Sequence, residues 1–327
     1  MKTSHCLWFS MIFTLILLAP GCVSNEEDKR RDHELQIIQE YLNANNITDE
    51  SKTEGGIYFI GDTTGNAASP EEGNYVIISY VGRFLENMNI RETSYDSLKS
   101  QWSAAASYKN YLYGPIMMPL GKSITGINEG LALMKEGGKA TLIIPSEKAF
   151  YDYTPLIYEI RLHKVVDNPV TYSKSLFKTF LTANNFTEIL SDSVFYKEIV
   201  TPPEDTVTPV ANDEIYFRFA GLLIDEFRNA LNDTFDTNFP LSEDQIKFIW
   251  GKTKISAGDM ISTSAGIPAG LRLALGEMRK GTRALVAIPY SQAFGKDGLV
   301  DSRYGFTIIP AYQNVVYEIV VDDIVTP

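Results

Sequence analysis

The chain has 327 residues, of which 44% are hydrophobic and 21% charged, a balance typical of globular rather than disordered proteins. This length corresponds to about two domains, each large enough to bury its own core. The formal net charge is −12 and the sequence has no long run of Lys and Arg, which argues against nucleic acid as a partner because a phosphate backbone would be repelled.

The N-terminus predicts an export signal. An apolar run from Leu7 to Leu18 has the length of a signal-peptide core and is shorter than the ~20 residues of a spanning helix. It ends in Leu18-Ala-Pro-Gly-Cys22, which resembles the lipobox of bacterial lipoproteins and implies a signal peptide over residues 1–21 with a lipid anchor on Cys22. The alternative is an ordinary secretory signal followed by a stray cysteine. The other cysteine, Cys6, lies inside the signal, so the mature chain could form no intramolecular disulfide.

Residues 22–54 are predicted to form a tether and a helix. The segment from Asn25 to Asp32 is polar and charged without apolar periodicity, and we interpret it as a tether that spaces the folded part from a membrane. Apolar side chains then recur at helical spacing from Leu35 to Leu42, which predicts an amphipathic helix.

The chain contains an internal repeat. The stretch Tyr41-Leu-Asn-Ala-Asn-Asn-Ile-Thr48 reappears 139 positions later as Phe180-Leu-Thr-Ala-Asn-Asn-Phe-Thr187. Tyr80-Val-Gly82 matches Phe219-Ala-Gly221 at the same displacement, and Tyr95-Asp96 is aligned with Phe235-Asp236 by allowing one added residue. A constant displacement across separated segments indicates a tandem duplication, in which each copy is an amphipathic helix followed by a β-rich domain.

Apolar runs and turn residues predict the domain limits and elements. The first copy is expected over residues 55–167 and the second over 210–327, with a helix and a proline-rich linker over 168–209 between them. Strands are predicted at 57–60, 75–81, 139–144 and 156–165 in the first copy, and at 215–220, 284–288 and 315–319 in the second. Short helices are predicted at 128–135 and 271–278.

The order of motifs in both copies resembles that of FKBP-type peptidyl-prolyl isomerase domains. In the first copy the motifs are Tyr80-Val-Gly82, Leu120-Gly-Lys122, Ile124-Thr-Gly-Ile127 and Ala149-Phe150; in the second they are Phe219-Ala-Gly221, Gly270-Leu271, Ala293-Phe-Gly295 and Ile308-Ile-Pro310. The resemblance implies an α+β fold with two FKBP-like domains. Each would be a curved antiparallel sheet wrapped on a short helix and preceded by an amphipathic helix.

The same resemblance implies an apolar pocket in each copy. The first pocket would be formed by Tyr80, Tyr95, Asp96, Ile124, Ile127, Phe150 and Tyr158. The second would be formed by Phe219, Phe235, Asp236, Ile267, Leu271, Phe294, Ile309 and Tyr317. The two aspartates would orient pocket groups by hydrogen bonding. Alternatively, each aspartate could lie in a turn and cap its own backbone, and the strand aromatics could be ordinary core residues.

Each copy departs from the family pattern. The loop that carries Ile309 is nearly absent from the first copy, where residues 151–155 lead straight into the last strand, so the first pocket is expected to be shallow or open on that side. In the second copy a direct alignment places Pro268, which has no N–H, where the family has a backbone donor, whereas a one-residue slip would place Ile267 there. Which copy is active stays open.

The predicted function is that of an enzyme, a peptidyl-prolyl cis-trans isomerase that assists the folding of exported proteins. The reaction needs no acid, base or nucleophile, because an apolar pocket can favour the twisted X–Pro amide, and no cofactor or metal is expected. The partners would be proline-containing polypeptide segments and, through the anchor at Cys22, a membrane. The predicted location is the cell envelope of a Gram-negative bacterium, at the outer membrane and facing either the periplasm or the surface. The oligomeric state is not predicted.

Two alternatives to this function remain. The first is a catalytically degenerate FKBP-like binding or scaffold lipoprotein, motivated by the missing loop of one copy and by Pro268 in the other. The second is a surface nutrient-binding lipoprotein, for which the sequence offers no supporting feature such as a platform of tryptophans.

Overall fold

The computed structural model describes residues 25–62, 67–104, 111–191, 193–227, 267–300 and 306–327, together with the backbone of short strands at 234–237, 246–249 and 255–257. The predicted signal peptide and Cys22 lie outside the described residues. Within these ranges, no helix combines the length and the apolar character that crossing a bilayer would require.

The first copy is a six-stranded antiparallel sheet with one helix on each side. Its elements are α1 (Glu26–Ala44), β1 (Tyr58–Asp62), β2 (Tyr75–Phe84), β3 (Ile90–Thr93), β4 (Ile116–Pro119), α2 (Thr125–Leu133), β5 (Lys139–Ile144) and β6 (Leu156–Val166). The strand order is β1-β5-β6-β2-β3, and β4 pairs with the other end of β2. The long strands β2 and β6 pair over their whole length and form the centre of the sheet.

The second copy repeats this arrangement and adds strands at its edges. Its elements are α3 (Pro169–Ala183), β7 (Glu188–Ser191), β8 (Val194–Val200), β9 (Glu214–Leu223), β10 (Thr234–Thr237), β11 (Ile246–Ile249), β12 (Ile255–Ala257), α4 (Ala269–Glu277), β13 (Arg283–Ile288), β14 (Leu299–Val300), β15 (Thr307–Ile309) and β16 (Val315–Val325). The order β12-β11-β9-β16-β13-β8-β7 contains the first sheet's order, with β8, β13, β16 and β9 in the places of β1, β5, β6 and β2. The hairpin β14–β15 stands apart from this sheet.

Each short helix lies very close to its sheet at a glycine in its first turn. A Cβ atom on Gly126 would lie 2.4 Å from Cγ2 of Ile144, and one on Gly270 would lie 2.5 Å from Cγ2 of Ile288. Only glycine allows an approach this close, because any larger side chain would push the helix off the strand. The two glycines therefore hold the same position in the two copies.

The long helices α1 and α3 cover the opposite faces of the sheets. Ile38 and Leu42 of α1 pack against Ile143 and Ile157, which alternate along their strands with residues that face α2. In the same way Phe177 and Leu181 of α3 pack against Ala287 and Val316. Both faces of each sheet are thus covered, and α2 and α4 face the candidate pockets.

The structure differs from the predicted tether at residues 25–32. Helix α1 begins at Glu26, so most of this charged segment is helical. Three acidic residues in the first turn favour the positive end of the helix dipole, and Lys29 pairs with Glu26 at 2.9 Å. The prediction failed here because a helical face that is exposed for several turns carries no apolar periodicity.

The second sheet also begins earlier than residue 210. Strands β7 and β8 lie in the stretch assigned to the helix and linker, yet β8 pairs with β13 over several residues. Val194 and Tyr196 of β8 are buried and face the core of the second copy. Their spacing of two residues is typical of a strand with one buried face. The linker proper is the segment without helix or strand between β8 and β9.

Candidate active site

A cavity of about 750 Å³ opens in the first copy beside α2, β3 and the first part of β6. Four of the predicted residues line it: Ile124, Ile127, Phe150 and Tyr158. Ile127 and Tyr158 are buried, whereas Phe150 is 46% exposed and forms the rim. The deepest part of the cavity is therefore apolar and aromatic, as the family resemblance implies.

Ile124 contributes its backbone as well as its side chain. It is the N-cap of α2, with φ −58° and ψ 151°, so its own N–H lies before the helical hydrogen-bond ladder. That N–H donates to no group among the described residues. A carbonyl oxygen of a bound polypeptide could therefore accept a hydrogen bond from this N–H.

Tyr80 lies behind the cavity and does not line it. Its ring is 6.2 Å from the ring of Tyr158 and packs against the apolar core between α2 and the sheet. Burial, reinforced by the nearby Glu92 carboxylate, raises the pKa of Tyr80 well above 10.0, so its hydroxyl stays protonated. We assign Tyr80 to the support of Tyr158.

The structure contradicts the placement of Tyr95 and Asp96 in the first pocket. Tyr95 lines a separate cleft on the opposite face of the sheet, with Val81 and Arg161. Asp96 begins a 3-10 turn and is exposed. Tyr95 is therefore not brought together with Ile124, Phe150 and Tyr158.

Strand register identifies the residues that take their place. Gly82 of β2 stands opposite Glu92 on β3, and its counterpart Gly221 stands opposite Asp236 on β10. Glu92 is therefore the equivalent of Asp236, and Arg91 that of Phe235. The prediction chose an aromatic–acid pair four residues too late, because it kept the residue types and nearly the sequence spacing of the second copy, whereas strand pairing sets Glu92 opposite Gly82 after a shorter connection. The side chains of Phe235 and Asp236 lie outside the described residues.

Arg91, Glu92 and Tyr158 form a hydrogen-bonded group at one wall. The Tyr158 hydroxyl donates to the Glu92 carboxylate, and Nη1 of Arg91 lies 2.8 Å from Oε1 of Glu92 and 3.3 Å from the Tyr158 oxygen. The guanidinium carbon lies 4.3 Å from the centre of the Phe150 ring. Burial and then the Glu92 carboxylate raise the pKa of Tyr158 well above 10.0. The charges of Arg91 and Glu92 offset each other within the wall.

Besides Phe84 at the end of β2, three further aromatic residues line the cavity and were not predicted. Trp102 and Tyr111 belong to the segment between β3 and β4, and their ring centroids are 4.9 Å apart. Phe306 comes from the second copy, and its ring lies 5.2 Å from that of Tyr111. The aromatic-rich stretch between β3 and β4 was a signal for the first two; nothing local in the sequence pointed to Phe306.

The candidate residues of the second copy meet inside its core. Phe219, Ile267, Leu271, Ile309 and Tyr317 are all at most 3% exposed and belong to one cluster, against which the half-buried Phe294 packs. Leu112 of the first copy joins the same cluster. These five predicted side chains therefore lie together in the core of the second copy.

The structure also decides between the two alignments of the second helix. Pro268 is the N-cap of α4, two residues before Gly270, as Ile124 is the N-cap of α2, two residues before Gly126. Pro268 therefore takes the place of the donor, as in the direct alignment, and this geometry argues against the alternative that places Ile267 there. Since proline has no N–H, this position of the second copy cannot donate a backbone hydrogen bond.

The fold defines the class of protein: two antiparallel sheets of corresponding strand order, each with a short helix packed on one face over a cluster of apolar side chains. The chain belongs to the family of FKBP-type peptidyl-prolyl cis-trans isomerases, whose profile matches residues 66–163 and 205–322. The two matched regions correspond to the two copies, so the chain carries tandem FKBP domains.

Individual relatives are more distant. The chain is 28% identical over 135 residues to the probable FKBP-type peptidyl-prolyl cis-trans isomerase FkpA of Neisseria meningitidis serogroup B; the match covers 38% of this chain and only 44% of that relative. The crystal structure of FkpA from Escherichia coli shares 20% identity, with a TM-score of 0.34 over 43% of this chain and 62% of that one. The three FKBP domains of wheat FKBP73 share 16% identity, with a TM-score of 0.31 over 84% and 97%.

Proposed function

We propose that the chain is a peptidyl-prolyl cis-trans isomerase whose first copy carries the activity. One observation carries this proposal: the first copy combines an open aromatic cavity with an unused backbone N–H at Ile124. In the second copy the equivalent residues are packed in the core and Pro268 replaces the donor. The second copy is proposed to be non-catalytic.

The proposed mechanism is differential binding of the twisted amide. A planar X–Pro amide is held by resonance, with a barrier to rotation of ~18–20 kcal/mol. Twisting removes the resonance and makes the amide less polar, so the walls formed by Ile127, Tyr158 and Phe150 bind the twisted form better than the planar one. The N–H of Ile124 would donate to a carbonyl oxygen of the bound segment and hold it in place.

Kinetics of the full mature chain would test the assignment. The cis-to-trans rate of a proline tetrapeptide is measured for the wild type, Phe150→Ala and the matched variant Phe294→Ala of the second copy. Phe150→Ala is expected to lower kcat/KM by about tenfold and Phe294→Ala by less than about twofold, since only Phe150 contacts the cavity. A loss confined to Phe294→Ala would move the activity to the second copy. No acceleration by folded wild type would favour the binding or scaffold lipoprotein.

We further propose that the substrates are proline-containing segments of exported proteins and that the chain is anchored through lipid on Cys22 in the cell envelope. The lipobox-like stretch at residues 18–22 supports the anchor. Labelled palmitate should be incorporated into the wild-type chain and not into Cys22→Ser. An unlabelled wild-type chain that is nevertheless exported would instead support the ordinary secretory signal.

A further inference from the structure

The first copy lacks the loop that closes the pocket side in the second. Its chain passes from Phe150 through one turn to Leu156, where β6 begins, whereas the second copy places the hairpin β14–β15 between Phe294 and β16. A pocket built from the first copy alone would therefore be open on this side. The sequence predicted such an opening.

Phe306 of the second copy lines the cavity of the first, next to the segment between β3 and β4. It immediately precedes β15, it is half-buried, and it packs against the core of its own copy. The same side chain lines the cavity of the first copy, with its ring 5.2 Å from that of Tyr111 and tilted by 56°. The second copy thus anchors an aromatic ring that the first copy lacks.

The contact is one part of a wider junction between the copies. Lys164 of β6 pairs with Glu226 at 2.8 Å, and the rings of Tyr75 and Tyr312 lie 5.6 Å apart, edge to face. In the opposite direction, Leu112 of the first copy is buried in the core of the second. These contacts hold Phe306 against the cavity in the full chain.

We propose that Phe306 is a substrate-contacting residue, so that the working pocket is shared between the two copies and the second copy supplies the surface that meets the side chain immediately before the proline. This inference rests on the proposed isomerase function of the first copy. The prolyl ring would fill the buried part beside Ile127 and Tyr158, which leaves the preceding residue near the rim. There Phe306 offers an aromatic surface, and the Arg91–Glu92 pair is already satisfied internally.

The second copy then contributes directly to the pocket of the first. Its own helix has proline at the donor position, Pro268, and its hairpin supplies a wall of the first pocket. Removal of the Phe306 ring should weaken the contact with a large apolar residue and leave a small one almost unaffected, because an alanine side chain offers little surface to lose.

The test uses the full mature chain and two tetrapeptides that differ only in Leu or Ala before the proline. Phe306→Ala is expected to lower kcat/KM for the Leu–Pro peptide by about tenfold and for the Ala–Pro peptide by about twofold or less. Phe306→Leu should recover most of the loss. Val300→Ala, an exposed position in the same hairpin that does not line the cavity, should change neither rate. Thermal unfolding of every variant confirms that the chains are folded.

Equal losses for the two peptides, or no loss for either, would overturn the shared pocket. Calorimetric titration with the Leu–Pro peptide separates this failure from that of the proposed function. A wild-type chain that binds the peptide without turnover, with weaker binding by Phe306→Ala, would retain the shared pocket and reject the isomerase. Equal binding by the two chains, or none by either, would reject the shared pocket.

Discussion

Ile124 and Pro268 occupy the same position in the two copies and differ in one group, the backbone N–H. Ile124 has φ −58° and ψ 151°, and Pro268 has φ −50° and ψ 144°. Both residues are N-caps, two positions before the glycine at which the helix meets its sheet. The second copy therefore shows that proline fits this backbone, which makes the donor testable without a change of fold.

Ile124→Pro should reduce activity beyond the loss caused by the side chain alone. The proline ring suits the native φ, so the main change besides the side chain is the missing N–H. A net hydrogen bond contributes about 1 kcal/mol, which corresponds to about fivefold in kcat/KM. The measurement compares Ile124→Pro with Ile124→Ala, which shortens the side chain but keeps the donor. Equal activity of these two folded variants would show that the N–H has no part in the reaction.

The hydrogen bond between Tyr158 and Glu92 predicts a coupled effect on stability. Tyr158 is 1% exposed, and its hydroxyl has the carboxylate as acceptor. Tyr158→Phe should therefore lower the free energy of unfolding by about 1–2 kcal/mol, because it removes a bond to a charged group. Urea denaturation of Tyr158→Phe, Glu92→Gln and the double variant should give a coupling energy of about 1 kcal/mol.

Tyr153→Phe is the matched control for this cycle. Its hydroxyl also donates to a carboxylate, that of Glu27 at 2.9 Å, but the contact is exposed. Water replaces such a bond, and the expected change is below about 0.5 kcal/mol. Strict additivity of the Tyr158 and Glu92 variants would contradict the arrangement of the pocket wall.

The sequence predicted the duplication, the main strands and the short helices, because these depend on local periodicity and on ordered motifs. It placed Ile124, Ile127, Phe150 and Tyr158 in one cavity for the same reason. It missed Glu92, since strand pairing sets that position relative to Gly82 and pairing is not a local property. The place of Phe306 in this cavity could not be predicted from the sequence, because the residue belongs to the other copy and reaches the cavity only through the packing of the two copies.

Glu34 shows why the charged N-terminal segment is part of the fold. Its side chain is buried, and its two carboxylate oxygens accept from the backbone N–H and the hydroxyl of Ser146, at 2.5 Å and 2.8 Å. Glu34→Ala would leave both donors of Ser146 buried and unsatisfied, at a cost of about 2–3 kcal/mol. Trypsin should then cut at Arg30 and Arg31 faster as α1 leaves the sheet. Glu40→Ala, an exposed position on the same helix, should change stability by less than about 0.5 kcal/mol. Equal cleavage of the two variants would contradict this docking.

His163 predicts a stability that depends on pH. Its Nε2 lies 2.8 Å from the Ser79 hydroxyl oxygen, and its ring packs 5.1 Å from that of Phe227 in the second copy. Burial, and then the nearby Arg161, lower the pKa of His163 below 6.5 in the folded chain. The unfolded chain therefore binds the proton first as the pH falls. The neutral ring supports folding fully above about pH 6.5, and this contribution decreases as the pH falls from there through the lower folded pKa.

Urea unfolding of the wild type and His163→Gln between pH 8 and pH 5 would measure this contribution. Carboxylates elsewhere in the chain titrate in the same way in both proteins, so the difference between the two free energies isolates the histidine. Stability of the wild type relative to His163→Gln should decrease on acidification. A difference that stays constant or increases would mean that His163 is not held neutral at the junction of the two copies.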